Sequence, residues 1–491
     1  MRNAGWGSPR RKNLGAPICL LLFLCSIAVG EKTDLEINLI AAQNGGRVVR
    51  VSSKARPETP RFLNDGNATA NSVFSFSDRA DHPQAVTLNF AENRAARLSR
   101  LVIRQPATDS PWFRERFVAR FEVHASRISS MAGFESCGSF ECRPDEGFPQ
   151  SFDLGGRKAR FVCLVVTATG MGGGGMIGDL EIWGSLLPPN ERIATLADES
   201  ALIDLARTSC EGITALNLTE LEKDLLADAR DFRLDKHHLI DAALIVSGAK
   251  TPPEFDRYRT TYEKFAERLR SSGRLALGGP RARAWAIFNS MHRDLLKTYM
   301  TDSSDVRRIF DCGEYNCVSA SLLFASLGGE YGLKITAEDM SGHVLTRLDG
   351  EGESFLIETT IPGWFTMSSP QRNIALGDLV YKHGFEARRP VTPLGLVSLV
   401  AFNRGVHLMN KDQFREAIAA DFIAAMLDPG SPEAVENLLC AYIKFAFHLA
   451  RQKRYDEALH VISKAQGIDP YRLSLRVARS VIETERETAG Q

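Results

Sequence analysis

The stretch from Gly313 to Trp364 constrains the fold of this 491-residue chain more than any other. An apolar run begins at Cys317, with Asn316 before it as an N-cap residue and a Gly-Gly pair after it as a stop signal, and this pattern predicts a helix. The segments HVLTRL and SFLIET then flank turn-forming residues 349–352 and predict a β-hairpin. A thiol at the start of the helix lies at the positive end of the helix dipole, which favours the thiolate.

The turn of this hairpin decides which residues of its two strands face each other. With Gly350 and Glu351 at the tip, His343 lies directly opposite Glu358, and opposed side chains share one face with Cβ atoms about 4.5–5.5 Å apart. The carboxylate is then able to orient the imidazole. When the start of the helix packs against that face, Cys317 joins the pair. The sequence therefore predicts a nucleophile, a base and an orienting acid: Cys317, His343 and Glu358.

These residues resemble the core of the bacterial transglutaminase-like superfamily, which has a papain-like fold. The resemblance is carried by YNCVS around Cys317, by GHV around His343 and by IETT around Glu358. It implies that Cys317 is the acyl-accepting nucleophile, that His343 is the general base and acid, and that Glu358, in place of the commoner Asp, orients the imidazole. It does not imply one reaction, because the superfamily includes cross-linking transglutaminases, proteases, amidases, deglycosylating enzymes and inactive scaffolds.

Each of the three residues also has a structural interpretation, as a buried thiol, a satisfied histidine or a cross-strand partner. Two other arrangements compete with the nucleophile set. Cys312, Cys317 and His343 could supply three zinc ligands, although the Cys-x4-Cys spacing is not typical of zinc sites. A Cys312–Cys317 disulfide would remove the nucleophile. The state of the Cys317 thiol distinguishes these alternatives.

The N-terminus has the pattern of a signal peptide. Basic residues from Arg10 to Lys12 precede an apolar run from Ala16 to Val29, and the small residues before Glu31 suit cleavage after position 30. An uncleaved anchor is the alternative, but the run is short for a membrane span. We therefore expect residues 1–30 to be removed and the mature protein to be exported to the periplasm or the extracellular space.

Because disulfides form in exported proteins, the number of cysteines in the mature chain indicates how many thiols can pair. The chain has nine cysteines, and subtracting Cys19 and Cys25 of the signal peptide leaves seven. An odd number leaves at least one thiol free if the others pair within the chain. Cys137 and Cys142, in a loop-like stretch, are the best disulfide candidates. The free thiol could be Cys317.

Residues 31–187 are predicted to be an all-β sandwich, because short apolar or alternating segments recur between turn residues. The opening NLIAAQNGG, the turn at Asp65 and the closing GDLEIWG resemble a discoidin-type, galactose-binding-like domain. That resemblance implies binding of carbohydrate or of lipid head groups in loops at one end. Many members also hold a calcium ion near the position of the Asp65 turn. A carbohydrate or envelope ligand, and calcium near Asp65, are thus expectations for this domain.

Composition changes after Pro188-Pro189 to residues that favour helices. Apolar positions at helical spacing predict that residues 188–300 are a helical segment that leads into the core. The transglutaminase-like α+β core is then expected at residues 301–390.

Small residues in the C-terminal part recur at positions typical of tetratricopeptide units. Counting back from Pro429 and from Pro470 gives two such units in residues 398–472, followed by a helix and tail in residues 473–491. Two units are fewer than the three that independent stability usually needs. We therefore expect the pair to dock on the core and to be capped by the final helix. The pair either binds a protein partner or acts only as a helical buttress.

The prediction from the whole sequence is an exported, multidomain cysteine enzyme that acts on peptide or carboxamide bonds through a thioester. Hydrolysis is favoured over cross-linking, because nothing marks a site for a lysine acceptor, and the chemistry requires no cofactor. The alternative is a non-catalytic envelope adhesion or assembly protein, in which the core is a scaffold between two binding modules. Basic and acidic residues number 60 each, without an extended basic stripe, which argues against nucleic acid as a partner.

Overall fold

The computed structural model describes residues 36–489, apart from 55–58, 70, 78–82, 107–114, 171–173, 189–190, 192, 195–217, 274, 276–277, 341, 351–353 and 384–388. The predicted signal peptide and Cys210 lie outside the described residues. The chain from Glu36 to Gln491 forms one compact unit. Among the helices of the described part, none combines the length and the apolar character that a membrane crossing needs.

The first part of this unit is a β-sandwich, as the sequence predicts. Its strands are β1 Ile37–Asn38, β2 Arg47–Val51, β3 Phe74–Ser75, β4 Gln84–Asn89, β5 Ala96–Arg104, β6 Val118–Ser126, β7 Phe134–Glu141, β8 Gln150–Asp153, β9 Lys158–Ala159, β10 Phe161–Thr169, β11 Met176–Ile177 and β12 Asp179–Leu186. One five-stranded sheet has the order β1-β12-β5-β8, with β9 on β5, and the other has the order β2-β4-β10-β6-β7. Pairing within both sheets is antiparallel, and β3 and β11 form a separate ladder.

The central strand β10 shows why the sandwich is stable. Its first six residues are all buried. Val162 and Leu164 face the hydrophobic core between the two sheets. Cys163 and Val165 point the other way, into a small cluster that includes Tyr471 from the C-terminal part of the chain. A strand that is covered on both faces has a continuous apolar sequence rather than an alternating one.

The predicted Cys137–Cys142 disulfide is wrong. Both thiols are free, with Cys142 buried and Cys137 half-buried. Cys137 lies within β7, and the N–H of Cys142 extends the same ladder by donating to Ala119 O at 2.9 Å. Five residues of extended strand span about 16 Å, far beyond the Cα separation of about 7 Å that a disulfide tolerates. The stretch is therefore a strand and not the loop that a short disulfide requires.

Helices dominate the chain from Thr219 onward. They are α1 Glu220–Asp228, α2 Leu239–Val246, α3 Pro252–Ser271, α4 Pro280–Asp294, α5 Val306–Cys312, α6 Cys317–Glu330, α7 Ser369–His383, α8 Pro393–Asn410, α9 Phe414–Leu427, α10 Pro432–Arg451, α11 Tyr455–Ile468 and α12 Leu473–Ala489. Helix α6 begins where the sequence predicts. It continues through the Gly-Gly pair for one further residue, to Glu330, before Tyr331 caps it.

A four-stranded antiparallel sheet packs on α6. Its strands are β15 Lys334–Met340, β16 His343–Asp349, β17 Ser354–Ile357 and β18 Arg389–Val391, in the order β17-β16-β15-β18. The predicted hairpin is therefore β16 and β17, and sequence reasoning missed β15 and β18. A short parallel pair, β13 Thr298–Tyr299 and β14 Glu314–Tyr315, lies directly before α6.

The predicted register of the hairpin is wrong. Asp349 pairs with Ser354, and Thr346 pairs with Ile357, so paired positions sum to 703, whereas a tip at Gly350 and Glu351 gives 701. His343 is thus not directly opposite Glu358, and in this register Glu358 follows the last paired residue of β17. The observed register differs from the predicted register by two residues on one strand. Because side chains alternate with period two, an even slip keeps both residues on the same face of the sheet.

Consecutive helices from α8 to α12 pack against one another, and α8 packs against α6 and against the sheet. A single hydrophobic cluster includes Leu323 of α6, Val344 of β16, Val400 of α8 and Tyr442 of α10. The expectation that this helical part docks on the core is therefore confirmed. Gly405 is one position where a small residue is required, since a Cβ there would lie 1.8 Å from Asp421 Oδ1. The tetratricopeptide assignment itself stays a prediction.

Candidate active site

The N-terminus of α6 is fixed by its cap. Asn316 Oδ1 accepts the N–H groups of Val318 and Ser319, both at 3.0 Å, and Ser319 Oγ accepts the N–H of Asn316 at 3.0 Å. The Asn316 amide is held in turn by Thr301 O, to which Nδ2 donates at 3.2 Å. This reciprocal capping box makes Cys317 the first residue of the helix.

Cys317 is 6% exposed and lies at the positive end of this helix. Asn316 accepts the N–H groups of the second and third residues of the helix. The N–H of Cys317, the first residue, has no partner within the helix, because the first N–H groups of a helix lack intrahelical acceptors. Within the described residues the N–H of Cys317 has no acceptor. The sulfur therefore lies beside a free backbone donor in a desolvated environment.

His343 and Glu358 form a buried hydrogen-bonded pair. Nε2 of His343 and Oε2 of Glu358 are 2.6 Å apart, and the two side chains are 7% and 1% exposed. The other carboxylate oxygen, Oε1, accepts the backbone N–H of Thr360 at 2.8 Å and its hydroxyl at 2.6 Å. With both oxygens occupied, the carboxylate holds one orientation of the imidazole ring.

The Cys317 thiol lines the same cleft as His343 and acts, with Glu358, on the pKa of that histidine. Burial disfavours the imidazolium form. The hydrogen bonds to Cys317 and Glu358 and the negative charges of these groups outweigh burial, and they raise the pKa of His343 to about 10. With this raised pKa, the imidazole holds its proton at neutral pH.

The strand end that carries Glu358 is anchored from behind. The Thr359 hydroxyl and the Ser321 hydroxyl of α6 form a hydrogen bond of 2.9 Å, and Thr359 O lies 3.1 Å from Nε2 of His292. Burial lowers the pKa of His292, so this ring is a neutral donor to that carbonyl. These hydrogen bonds fix the distance between α6 and the residues that follow β17.

A cleft of about 370 Å³ opens in front of the Cys317 sulfur. One side consists of the helix start and the beginning of β16. The opposite side comes from the helical part that follows the sheet, namely Leu399, Phe402 and Asn403 of α8 and Glu433 in the first turn of α10. Residues about one hundred positions away in sequence thus form a wall of the site.

The structure brings together the three residues that the sequence singles out, while Asp65 lies elsewhere. The Asp65 carboxylate accepts the N–H of Asn67 at 2.9 Å and the hydroxyl of Ser72, both within its own turn. Calcium near Asp65 stays a prediction. As for zinc, Cys312 is exposed and its Sγ donates to Arg308 O at 3.4 Å. Across the described residues, no three or more His, Cys, Asp or Glu side chains cluster as metal ligands do.

Neither competing arrangement at Cys317 is therefore present in the described part of the chain, since Cys312 and Cys317 are also both free thiols. Sequence reasoning missed Thr360, which fixes the carboxylate, and Phe402, Asn403 and Glu433, which line the cleft. The IETT segment contains a signal for Thr360, because a side-chain oxygen often accepts a backbone N–H two residues on. No local signal points to the cleft wall.

No protein-family model matches the chain, and no curated protein is a significant match. Solved structures similar to it include the family 32 carbohydrate-binding module of Clostridium perfringens NanJ in complex with galactose, at 16% identity and a TM-score of 0.25, covering 30% of this chain and 99% of that one. A putative chitobiase fragment from Bacteroides thetaiotaomicron has 16% identity and a TM-score of 0.26, with 32% and 98% covered. A Streptococcus pneumoniae fucose-binding module has 18% identity and a TM-score of 0.24, with 30% and 95% covered.

The likeness lies in the N-terminal β-sandwich. At these TM-scores the likeness supports no conclusion about a ligand. The strand pairing of the two sheets by itself defines the β-sandwich. The carbohydrate or envelope ligand of this domain stays a prediction.

Proposed function

We propose that this protein is a cysteine hydrolase that cleaves a peptide or carboxamide bond through a thioester. One observation carries the proposal: a buried thiol at a capped helix N-terminus lines the same cleft as a buried histidine, whose Nε2 is 2.6 Å from a carboxylate oxygen. A nucleophile, a base and an orienting group in contact with each other are what acyl transfer by a thiol requires.

In the first half of the proposed reaction, the Cys317 sulfur attacks the carbonyl carbon, and the proton of the thiol resides on His343. The C–N bond breaks, the imidazolium donates its proton to the departing amine, and a thioester remains on the sulfur. The free N–H of Cys317 donates to the oxygen that becomes negative in the tetrahedral intermediate.

In the second half, His343 takes a proton from water, and the resulting hydroxide attacks the thioester carbon. The C–S bond breaks, the acid leaves and the proton returns to the His343–Cys317 pair. Glu358 stays ionised throughout and keeps Nε2 of the ring away from the substrate. Every atom and proton in this cycle comes from the substrate, water or the three side chains, so the chemistry needs no cofactor.

The test is alkylation of the intact protein by iodoacetamide from pH 4 to 9, followed by intact mass, with Cys317→Ala and His343→Ala beside the wild type. We expect fast labelling at one site at low pH, which is lost in Cys317→Ala and slowed in His343→Ala, because the imidazolium stabilises the thiolate. Cys163, a buried thiol whose pKa burial raises, provides an internal control that should not react.

The hydrolase proposal fails if Cys317 reacts no faster than an ordinary thiol at every pH. It also fails if His343→Ala has no effect on the rate. The non-catalytic adhesion or assembly function would then account better for the binding modules on either side.

A further inference from the structure

The cleft at Cys317 is lined by more acidic than basic groups. Among the described residues that line it, Asp339 and Glu433 are acidic, and none is a lysine or an arginine. The basic group in this described lining is the imidazole of His343, which already has the carboxylate of Glu358 at 2.6 Å. The described lining of the cleft is therefore acidic on balance.

Glu433 is held at this lining by the start of α10. Ser431 caps that helix by accepting the N–H of Ala434 at 3.3 Å, and its hydroxyl donates to Oε2 of Glu433 at 3.2 Å. Both Ser431 and Glu433 line the cleft, and Glu433 is exposed. Its second carboxylate oxygen, Oε1, has no partner among the residues that the structure describes. Glu433 is thus oriented through one oxygen and can bind a cation with the other.

Apolar side chains line the same cleft. Leu399 and Phe402 lie about one turn apart on α8 and contribute apolar surface to the wall that also contains Glu433. A lysine or arginine side chain consists of an aliphatic stem and a charged head, so apolar surface beside a carboxylate suits both of its parts. A neutral side chain makes no use of Glu433, and an anionic group is repelled by it. The composition of the wall therefore favours a cationic side chain.

We propose that the bond cleaved at Cys317 belongs to a peptide or amide whose neighbouring side chain is cationic, and that Glu433 selects this charge. Leu399 and Phe402 contact the aliphatic stem of that side chain, and the Glu433 carboxylate binds its charged head. This inference rests on the hydrolase function proposed above. It narrows the substrates from any peptide or amide to those with a lysine, an arginine or a similar cation beside the reacting carbonyl.

The experiment measures how fast two reagents of opposite charge alkylate Cys317 in the full-length protein. Both are chloroacetamides with an ethyl chain on the amide nitrogen, which ends in trimethylammonium in one reagent and in sulfonate in the other. The sulfur displaces chloride and forms a thioether in either case. Each rate is divided by the rate of the same reagent with free mercaptoethanol, which removes differences in intrinsic reactivity. Fragmentation mass spectrometry distinguishes Cys317 from the exposed thiol of Cys312.

We expect the cationic reagent to label Cys317 about tenfold faster than the anionic reagent after this correction, because the charges of the cleft attract one and repel the other. The ionised groups around the sulfur contribute to this preference, so its change on substitution is the decisive value. Glu433→Gln keeps the shape of the side chain and an oxygen for Ser431, and it should reduce the preference to about threefold. Because the preference is a ratio, a general change in the reactivity of the thiol does not alter it.

Glu436→Gln is the matched control. Glu436 is an exposed residue one turn further along α10, it pairs with Arg472, and it does not line the cleft. This variant should keep the wild-type preference for the cationic reagent. Iodoacetamide, which is uncharged, should label Cys317 in this variant at the wild-type rate.

Equal corrected rates for the two reagents, with fast His343-dependent labelling by iodoacetamide, would overturn the cation inference and leave the hydrolase function standing. A preference for the anionic reagent would overturn it in favour of acidic substrates. An equal reduction in Glu433→Gln and Glu436→Gln would also overturn it, because the selection would then come from the surface charge of α10 as a whole. Slow labelling by iodoacetamide itself would remove the hydrolase function, and the inference with it.

Discussion

The β-sandwich and the region around Cys317 assemble their cores in different ways. The sandwich encloses its own hydrophobic cluster between two sheets, with members that run only from Leu39 to Ile182. The cluster around Cys317 runs from Met131 of the sandwich to Ile482, near the end of the chain, and takes in the sheet, α6 and the C-terminal helices. One continuous part of the chain is enough to build the first core. The second core forms only when residues of the sandwich, the sheet around Cys317 and the C-terminal helices meet.

The two regions also differ in how they bury charge. The sandwich places the ion pair Arg104–Glu181 near its surface, where the arginine side chain is 42% exposed and the glutamate side chain 11% exposed. The site places His343 and Glu358 together at 7% and 1% exposed. Burying charge costs free energy unless hydrogen bonds replace water, and the bonds of Glu358 with His343 and Thr360 supply this replacement. Such an arrangement is typical of a functional site.

The largest expected effect concerns the separation of these regions. Residues 36–187 produced alone should fold, because their core is self-contained. Residues 218–392 produced without the C-terminal helices should not fold, because Leu396 and Val400 of α8 complete the core beside α6. Thermal melting followed by circular dichroism checks both fragments. A cooperative melt of 218–392 would contradict the shared core.

The second comparison removes one charge from each region. Glu358→Gln should lower the free energy of unfolding by about 3–5 kcal/mol, because it leaves a buried imidazolium without its carboxylate. Glu181→Gln should cost about 0–1 kcal/mol, because its partner is half-exposed to water. Urea unfolding at neutral pH measures both values. Similar losses in the two variants would show that the site pair is no more buried in solution than the surface pair.

The third comparison uses pH. Burial raises the pKa of Asp179 in the sandwich to about 7, from an ordinary value of 3.8, so the folded protein binds more protons than the unfolded chain between these values. Stability from this group therefore falls as pH rises from about 4 to 7. The pKa of His343, raised from 6.5 to about 10, gives a contribution that is complete below 6.5 and is lost as pH rises to 10.

Two variants distinguish the pH range in which Asp179 changes stability from the range in which His343 does. Asp179→Asn keeps an oxygen to accept the Gly66 N–H and should gain stability relative to the wild type between pH 4 and 7, with no change above. The stability that His343→Gln loses relative to the wild type should shrink between pH 7 and 10. Urea midpoints across the pH range check both differences. Coincident windows would show that one of the two pKa assignments is wrong.

The last comparison, with a small expected effect, concerns the contact where the two regions meet. Arg472 donates to Val51 O of β2 at 2.8 Å and pairs with Glu436. Arg472→Gln should therefore lower the free energy of unfolding by about 1 kcal/mol, which is the net value of one such hydrogen bond. Labelling of Cys317 by iodoacetamide should not change. A tenfold slower reaction would mean that the contact between sandwich and helices positions the nucleophile.

Much of the site could be predicted because its signals are local. The Asn316 cap and the apolar run after it start a helix at Cys317 wherever the rest of the chain lies. The alternation of side chains along the two strands predicts that His343 and Glu358 lie on the same face of the hairpin. This prediction holds although the predicted register is wrong, because the two registers differ by two residues, an even number. The Cys137–Cys142 prediction failed because a strand and a polar loop are hard to distinguish in FESCGSFE.

The sequence by itself determined the β-sandwich, the helix that begins at Cys317 and the identity of the three residues that meet at the site, because capping and side-chain alternation act over a few residues. Only the tertiary structure decided the hairpin register, the Thr360 support of the carboxylate and the wall of the cleft. Phe402 and Glu433 line the cleft at Cys317 because α8 and α10 share its hydrophobic core. Burial of apolar surface acts between segments at any separation in sequence, so no local pattern records it.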